Sequence, residues 1–310
     1  MKYNFLFFLL FFLSSCVKNN KFFFDSNNST EITKNNFDYF LKNGKFDSAR
    51  DYIDSIFSIR STDLDVLKKR GEIYFLLNNF EIAESSWQNC LLLDSSDVVC
   101  HEKLIALYCG FENLKNNDCN YILEKTLILN PDNQIASYFK AKRLVEINKK
   151  NEAIILYKNL LEKDSKNIRV MNELAQLYDT NYQSEIYYKR ILKLDSSYVA
   201  FYGLGMYYQK KKLFNKAIKN YQDALAVFKR KEPYYNLGFC HLMKNETSAA
   251  IDFFSKAINL DASYLEAYFA RAYSYSLLNK KELAVEDYKF CLMLEPGFED
   301  ARIELEKINK

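Results

Sequence analysis

The side chains of this 310-residue chain best suited to covalent or metal chemistry are seven cysteines and two histidines. Cys90, Cys100, Cys109 and Cys119 crowd one stretch that also holds His101. A zinc site would need thiolates and imidazole at short spacing, and without a tight C-x₂-C pair zinc is disfavoured. Disulfides and buried packing thiols stay open for these four. Cys109 and Cys119 are the pair spaced to face each other across a helical hairpin, provided their Cα atoms fall within about 7 Å. His101 and His241 lie far apart, and no Ser–His–Asp order, phosphate loop or metalloprotease signature occurs. Carboxylate pairs sit in charged stretches with nothing to raise one pKa. The expectation is a protein that is not an enzyme and needs no cofactor. Cys16 stands apart from the other six cysteines, directly after an apolar run.

That run, Phe5 to Leu13, is nine residues long and follows Lys2. As a helix it covers about half of a ~30 Å bilayer core, so it has the length of a signal-peptide h-region and not of a membrane span. The sequence Leu13-Ser14-Ser15-Cys16 resembles the lipobox of bacterial lipoproteins. The resemblance implies a signal peptide at residues 1–15, removal of that peptide, and acylation of Cys16. Residues 16–29 would be the lipidated N-terminus and tether, interrupted by Phe22-Phe23-Phe24. The implied location is a bacterial cell envelope, with the chain lipid-anchored to a membrane. Val17 does not match the Asp that retains some lipoproteins in the inner membrane, which points to the outer one.

The elements that position everything else are read from composition and period. Hydrophobic residues make up 49%, against only 7 Gly and 3 Pro, so a helical fold is expected over a turn-rich sheet fold. Net charge is +3, and no basic block interleaves with aromatics, so no nucleic acid partner is expected. Aligning residues 235–263 with 269–297 sets Gly238 on Ala272, Ala250 on Ala284, Phe254 on Tyr288, Ala257 on Cys291 and Asp261 on Glu295, each a step of 34. This pattern resembles the tetratricopeptide repeat, a helix–turn–helix unit with small residues where its two helices cross. Small slots in phase run back through Gly205 and Ala217, Ala141 and Ala153, and Gly71 and Ala83. Ala106 is the small residue expected in the unit ending at Asn130-Pro131, and Phe37 replaces the small residue in the first unit.

The resemblance implies an all-α, right-handed α-solenoid of about eight units at 30–63, 64–97, 98–133, 134–167, 168–197, 198–230, 231–264 and 265–298. Residues 299–310 form a capping helix. The unit at 168–197 is expected to close about three residues early, at Asp195-Ser196. Cys90, Cys119 and Cys291 fall at or near small slots and read as packing thiols.

In the resembled family the first helices line a concave groove. Carried over position by position, the partner-binding groove is Tyr138, Lys142, Arg169, Asn172, Tyr202, Met206, Tyr235, Phe239, Phe269 and Tyr273, with Lys68, Glu72, Phe75 and Lys103 further towards the N-terminus. Packing between neighbouring repeats is the competing role for these aromatics. The Lys and Asn pairs with which some co-chaperones of the family clamp a carboxylate are absent, since those positions read Lys68 with Glu72, Lys103 with Leu107, and Tyr202 with Met206. The expected function is a membrane-tethered scaffold that binds protein or peptide partners. An outer-membrane assembly component and a glycan-capturing surface lipoprotein are the alternatives. The oligomeric state is not readable.

Overall fold

The computed structural model describes residues 29–110 and 116–308, which are helical apart from short turns. The expected signal peptide, Cys16 and the tether up to residue 28 lie outside the described residues. The chain divides into two compact bodies, Met1–Phe111 and Glu112–Lys310. The first holds α1 (Ser29–Lys42), α2 (Phe46–Phe57), α3 (Leu64–Leu76), α4 (Phe80–Leu93) and α5 (Val98–Gly110). The second holds α6 (Asn116–Leu129), α7 (Gln134–Glu146), α8 (Lys150–Lys163), α9 (Ile168–Tyr178), α10 (Tyr182–Leu194) and α11 (Tyr198–Lys210). It continues with α12 (Phe214–Val227), α13 (Lys231–Met243), α14 (Thr247–Leu260), α15 (Leu265–Leu277), α16 (Lys281–Leu294) and α17 (Glu299–Ile308). No strand occurs among the described residues, and none of their helices is long and apolar enough to cross a membrane. Within each body the helices pack on their chain neighbours, and α9 also meets α11 and α13 meets α15. That is the short-range topology of an α-solenoid.

The core repeats one device. A ring from the second helix of a unit lies on a small residue of its first helix: Trp87 on Gly71, Tyr221 on Gly205, and Phe254 on Gly238. Ala272 and Tyr288 share the last such cluster. Trp87, Tyr221, Phe254 and Tyr288 are all at most 1% exposed. The expectation of two tiny side chains meeting is therefore corrected: one is tiny and the other is a large ring, while Ala83, Ala217, Ala250 and Ala284 fill the remaining gap at 0% exposure. One register detail also differs from expectation. Ile105, and not Ala106, takes the fully buried position of α5. The unit at 168–197 closes early at Asp195, as expected, because α9 has 11 residues against 13 in α7 and α11 and α10 has 13 against 14 in α8. As a result Tyr188 of α10 lies on Gly203 of the next first helix.

Turn chemistry explains how so few glycines suffice. First helices end on left-handed residues: Gly44 at φ 67°, Asn78, Asn148 and Asn245 at 61°, and Asn279 at 56°. The next residue's N–H closes back onto the helix, as from Asn79 to the Tyr74 carbonyl at 2.8 Å and from Lys280 to Tyr275 at 2.9 Å. Asn tolerates this conformation better than other non-glycine residues because its short amide bonds locally. Lys212, at φ 57°, is the exception that has no such help. Second helices end in Asx turns, where Asp94, Asp164 and Asp261 accept the N–H two residues on at 2.9–3.0 Å. Asn133 and Asn167 then cap the following helices, accepting from Ala136 and Val170 at 2.8 and 3.1 Å.

Polar and covalent clasps join units. Arg70 of α3 donates to Asp54 of α2 at 2.9 Å and to Ser86 of α4 at 3.1 Å. Arg271 of α15 repeats this, with Ser255 of α14 at 3.0 Å and Asp287 of α16 at 2.7 Å. Cys90 of α4 and Cys100 of α5 form a disulfide with Cα atoms 6.7 Å apart. Cys109 and Cys119 are each disulfide-bonded as well. The reading of Cys90 and Cys119 as packing thiols is thus corrected; Cys291 is a free, buried thiol.

Replacing Gly238 by Ala would set a Cβ 2.6 Å from Phe254 Cδ1 in a fully buried ring. Overpacking of this kind costs about 1–3 kcal/mol, and the helix-propensity gain returns up to about 1 kcal/mol. We expect Gly238→Ala to lose about 1–2 kcal/mol in urea unfolding, whereas Gly297→Ala, which meets nothing within 4 Å, should be neutral.

Candidate binding groove

The first helices of the second body carry the expected groove residues in register: Tyr138 and Lys142 on α7, Arg169 and Asn172 on α9, Tyr202 and Met206 on α11, Tyr235 and Phe239 on α13, Phe269 and Tyr273 on α15. Their surroundings sort them into two groups. Tyr138 is only 7% exposed. Its hydroxyl donates to Glu173 Oε1 at 2.7 Å, Arg169 covers its ring at 4.3 Å, and Tyr157 lies 5.8 Å from it. Its expected place on an open groove is therefore corrected, because one hydrogen bond to the next first helix and a cation above the ring seal it. Asn172 is half-buried, and its Oδ1 is buried with no hydrogen-bond partner. Lys142 and Phe239 are half-buried.

Tyr202, Tyr235 and Phe269 are also half-buried, for one shared reason. Each leans on the buried ring of its own unit, at 5.7 Å from Tyr221, 5.6 Å from Phe254 and 5.6 Å from Tyr288. Such tilted pairs gain beyond their burial and fix the outer ring's orientation. Met206 and Tyr273 are openly exposed at 40% and 42%, and Val199 and Met243 near them at 48% and 46%. The face of α11, α13 and α15 is thus a row of fixed rings between exposed apolar side chains. In the first body the expected groove charges are spent in ion pairs: Lys68 with Asp97, outside the expected set, and Lys103 with Glu72 at 3.5 Å. Phe75 packs on Trp87 at 5.7 Å.

One edge of the α11–α15 face was missed by the sequence reading. Tyr198 stacks on Tyr202 at 5.8 Å with planes 7° apart. Asn236 donates to the Tyr202 hydroxyl at 3.1 Å, and Tyr264 lies 5.5 Å from Tyr235. Glu232 and Glu266 sit in the first turns of α13 and α15. The signal was available: the place that Arg169 holds in α9 reads Val199, Glu232 and Glu266 in the next three repeats.

The reactive groups are muted. Burial pushes the Cys240 and Cys291 thiols up to about 12, where they stay protonated and inert. Cys90, Asp97 and Cys100 bring potential ligand atoms within 4.8 Å of one another, but both sulfurs are in the disulfide and Asp97 is paired with Lys68. The imidazole of His241 meets Glu246 at 2.6 Å and stacks on Phe253, while His101 Nε2 lies 2.9 Å from the Ser95 carbonyl. Residues 210–231 carry many lysines, of which Lys210 pairs with Asp179, Lys216 lies over Tyr208 and Lys231 pairs with Asp261.

The Lys231–Asp261 pair offers a pH test. Lys231 donates to the Asp261 carboxylate, and Ser263 adds side-chain and backbone bonds at 2.7 and 2.9 Å, together holding this carboxyl down to about 2. A folded-state value below the unfolded one stabilises above the ordinary carboxylate range, and that contribution fades as pH falls towards about 2. An NMR titration should find the Asp261 midpoint near that value, and Lys231→Met should move it upward.

A tetratricopeptide-repeat family model matches residues 198–229, 232–264 and 265–298. A tetratricopeptide repeat-containing protein of Methanocaldococcus jannaschii is 25% identical over 300 residues, covering 84% of this chain and 51% of that one. Serine/threonine-protein phosphatase 5 of Homo sapiens is 31% identical over 104 residues, 33% of this chain and 21% of that protein. This chain spans about half or less of the length of these curated relatives. Among solved structures, the Cut9–Hcn1 assembly of the APC/C superposes with a TM-score of 0.57 at 17% identity, covering 91% of this chain and 56% of that one. MamA of Desulfovibrio magneticus does so at 0.50 and 17% identity, covering 54% of this chain and 97% of that one. At these identities the structural matches speak for the fold alone. Residues 198–298 are thus matched as tetratricopeptide repeats, and the described helices before them pack in the same pairwise way.

Proposed function

We propose that the chain is a lipid-anchored adaptor of a bacterial envelope, held on the outer membrane through Cys16, which gathers protein partners by binding a peptide segment along α11, α13 and α15. Tetratricopeptide repeats mediate protein–protein interactions and bind peptides. The observation that carries the reading is the row of rings on that face. Tyr202, Tyr235 and Phe269 are each fixed by a buried ring beneath, and Met206 and Tyr273 stand exposed between them. Preset aromatics lose little rotamer freedom when a partner docks, which favours affinity over a floppy apolar surface. The role is binding; the two free thiols among the described residues, Cys240 and Cys291, are buried and protonated. The membrane part of the reading rests on Lys2, the apolar run and Leu13-Ser14-Ser15-Cys16. Tethering raises the local concentration of whatever the groove recruits.

Two measurements check this. Cys16→Ala should move the protein from the membrane pellet to the soluble fraction of envelopes; continued pelleting would sink the anchor. Met206→Ser combined with Tyr273→Ser removes exposed side chains only, so melting should be unchanged. Crosslinked partner recovery should fall by roughly tenfold or more, and undiminished recovery would refute the groove.

A further inference from the structure

One edge of the first body is apolar and open to solvent. The turns at 43–45 and 77–79 are short, so α1 runs antiparallel to α2, and α3 to α4. The start of α1, the end of α2, the start of α3, the end of α4 and the start of α5 therefore share one edge. Ile59, just past α2, and Leu92, at the end of α4, are each 83% exposed there. Leu93, Val98 and Val99, around the turn from α4 to α5, are exposed as well. Single exposed apolar residues are ordinary, but four flanking one turn are not. The corresponding positions around the turn from α8 to α9 read Glu162, Lys163, Ile168 and Arg169, so the repeat itself does not demand apolar residues there.

The same turn keeps its polar groups to itself. Asp94 accepts the Ser96 N–H at 3.0 Å and its hydroxyl at 2.7 Å. Asp97 pairs with Lys68 and accepts the Cys100 N–H at 2.9 Å, and Asp65 at the start of α3 lies 3.3 Å from Lys69 Nζ. The Cys90–Cys100 disulfide closes the stretch at its base. A covalently closed turn has little freedom to fold its leucines and valines back under the chain. Its carboxylates are engaged, its shape is held, and its apolar side chains stand in water.

What covers this edge follows from where the described chain begins. α1 starts at Ser29 on that edge, and Cys16 lies upstream by residues 16–28, at most about 45 Å of extended chain. We propose that the edge formed by Ile59, Leu92, Leu93, Val98 and Val99 rests on the lipid surface that holds Cys16, its side chains entering the boundary between headgroups and acyl chains. This rests on the reading of Cys16 as a lipid anchor. The anchor keeps the edge near the bilayer at high effective concentration, so a modest apolar contact suffices. The contact makes the first body stand on the membrane by its helix ends, with the hairpin turns at 43–45 and 77–79 facing away.

The test places the full acylated chain in phosphatidylcholine vesicles, with or without bromine on the acyl chains, and reads tryptophan emission. Trp87 is the one native tryptophan and is 1% exposed, so the unaltered chain supplies the background. Leu92→Trp puts a reporter on the edge, and Glu81→Trp puts one at the exposed opposite end of α4. Brominated lipid should quench most of the emission that Leu92→Trp adds and little of that from Glu81→Trp, in low and high salt alike because the contact is apolar. Equal quenching at the two positions, with the chain still floating with the vesicles, would overturn the membrane edge and leave the anchor standing. If that equal quenching is weak, shielding of the Leu92→Trp indole from aqueous iodide would assign the edge to a protein surface, Phe22-Phe23-Phe24 among the choices. Failure of the chain to float with the vesicles would overturn the anchor and the membrane edge together.

Discussion

A ring laid on a residue with almost no side chain is the contact on which the rest of this molecule depends. Trp87 on Gly71, Tyr221 on Gly205, Phe254 on Gly238 and Tyr288 beside Ala272 draw the two helices of each unit together. Each ring is removed from water almost completely, a burial worth roughly 1.5–3 kcal/mol for a side chain of this size. Since ring and slot belong to one unit, the contact closes a short loop and asks nothing of distant sequence. Stability then accrues unit by unit and across neighbouring faces. Where a unit is shortened inside α9, the rule bends without breaking: Tyr188 finds its glycine, Gly203, in the next first helix.

The proposed binding face is built outward from those rings. Tyr202, Tyr235 and Phe269 occupy one layer above Tyr221, Phe254 and Tyr288, at nearly constant centroid separations of 5.6–5.7 Å. The core thereby dictates where the groove's aromatics stand. If this face is the recognition surface proposed above, it inherits the period of the fold, and a partner would have to match that spacing as well as its chemistry. The charged clasps through Arg70 and Arg271 lie between units and hold the spacing.

Much of this was legible in the chain because the slots recur in phase. The step of 34 from Gly238 to Ala272 and from Phe254 to Tyr288 already located both members of the central contact. What period alone does not reveal is which side of a helix is open, since one residue shifts the face by about 100°. Tyr138 looked like a groove residue and is sealed by Glu173 and Arg169, partners from the next repeat that no local pattern announces. The same limit exchanged Ala106 for Ile105. The Cys90–Cys100 disulfide was hidden for a different reason, because a small-slot cysteine reads alike whether it is a thiol or half a bridge.

The left-handed asparagines at 78, 148, 245 and 279 have a consequence at the level of the nucleic acid that encodes them. A hairpin reversal normally draws on glycine, whose codons all begin with two guanines. Asparagine reaches the same backbone region with codons that begin with two adenines. A gene under pressure towards adenine and thymine can therefore keep every reversal of this fold while its base composition drifts, and the backbone conformation, not the amino acid, is what selection has to preserve.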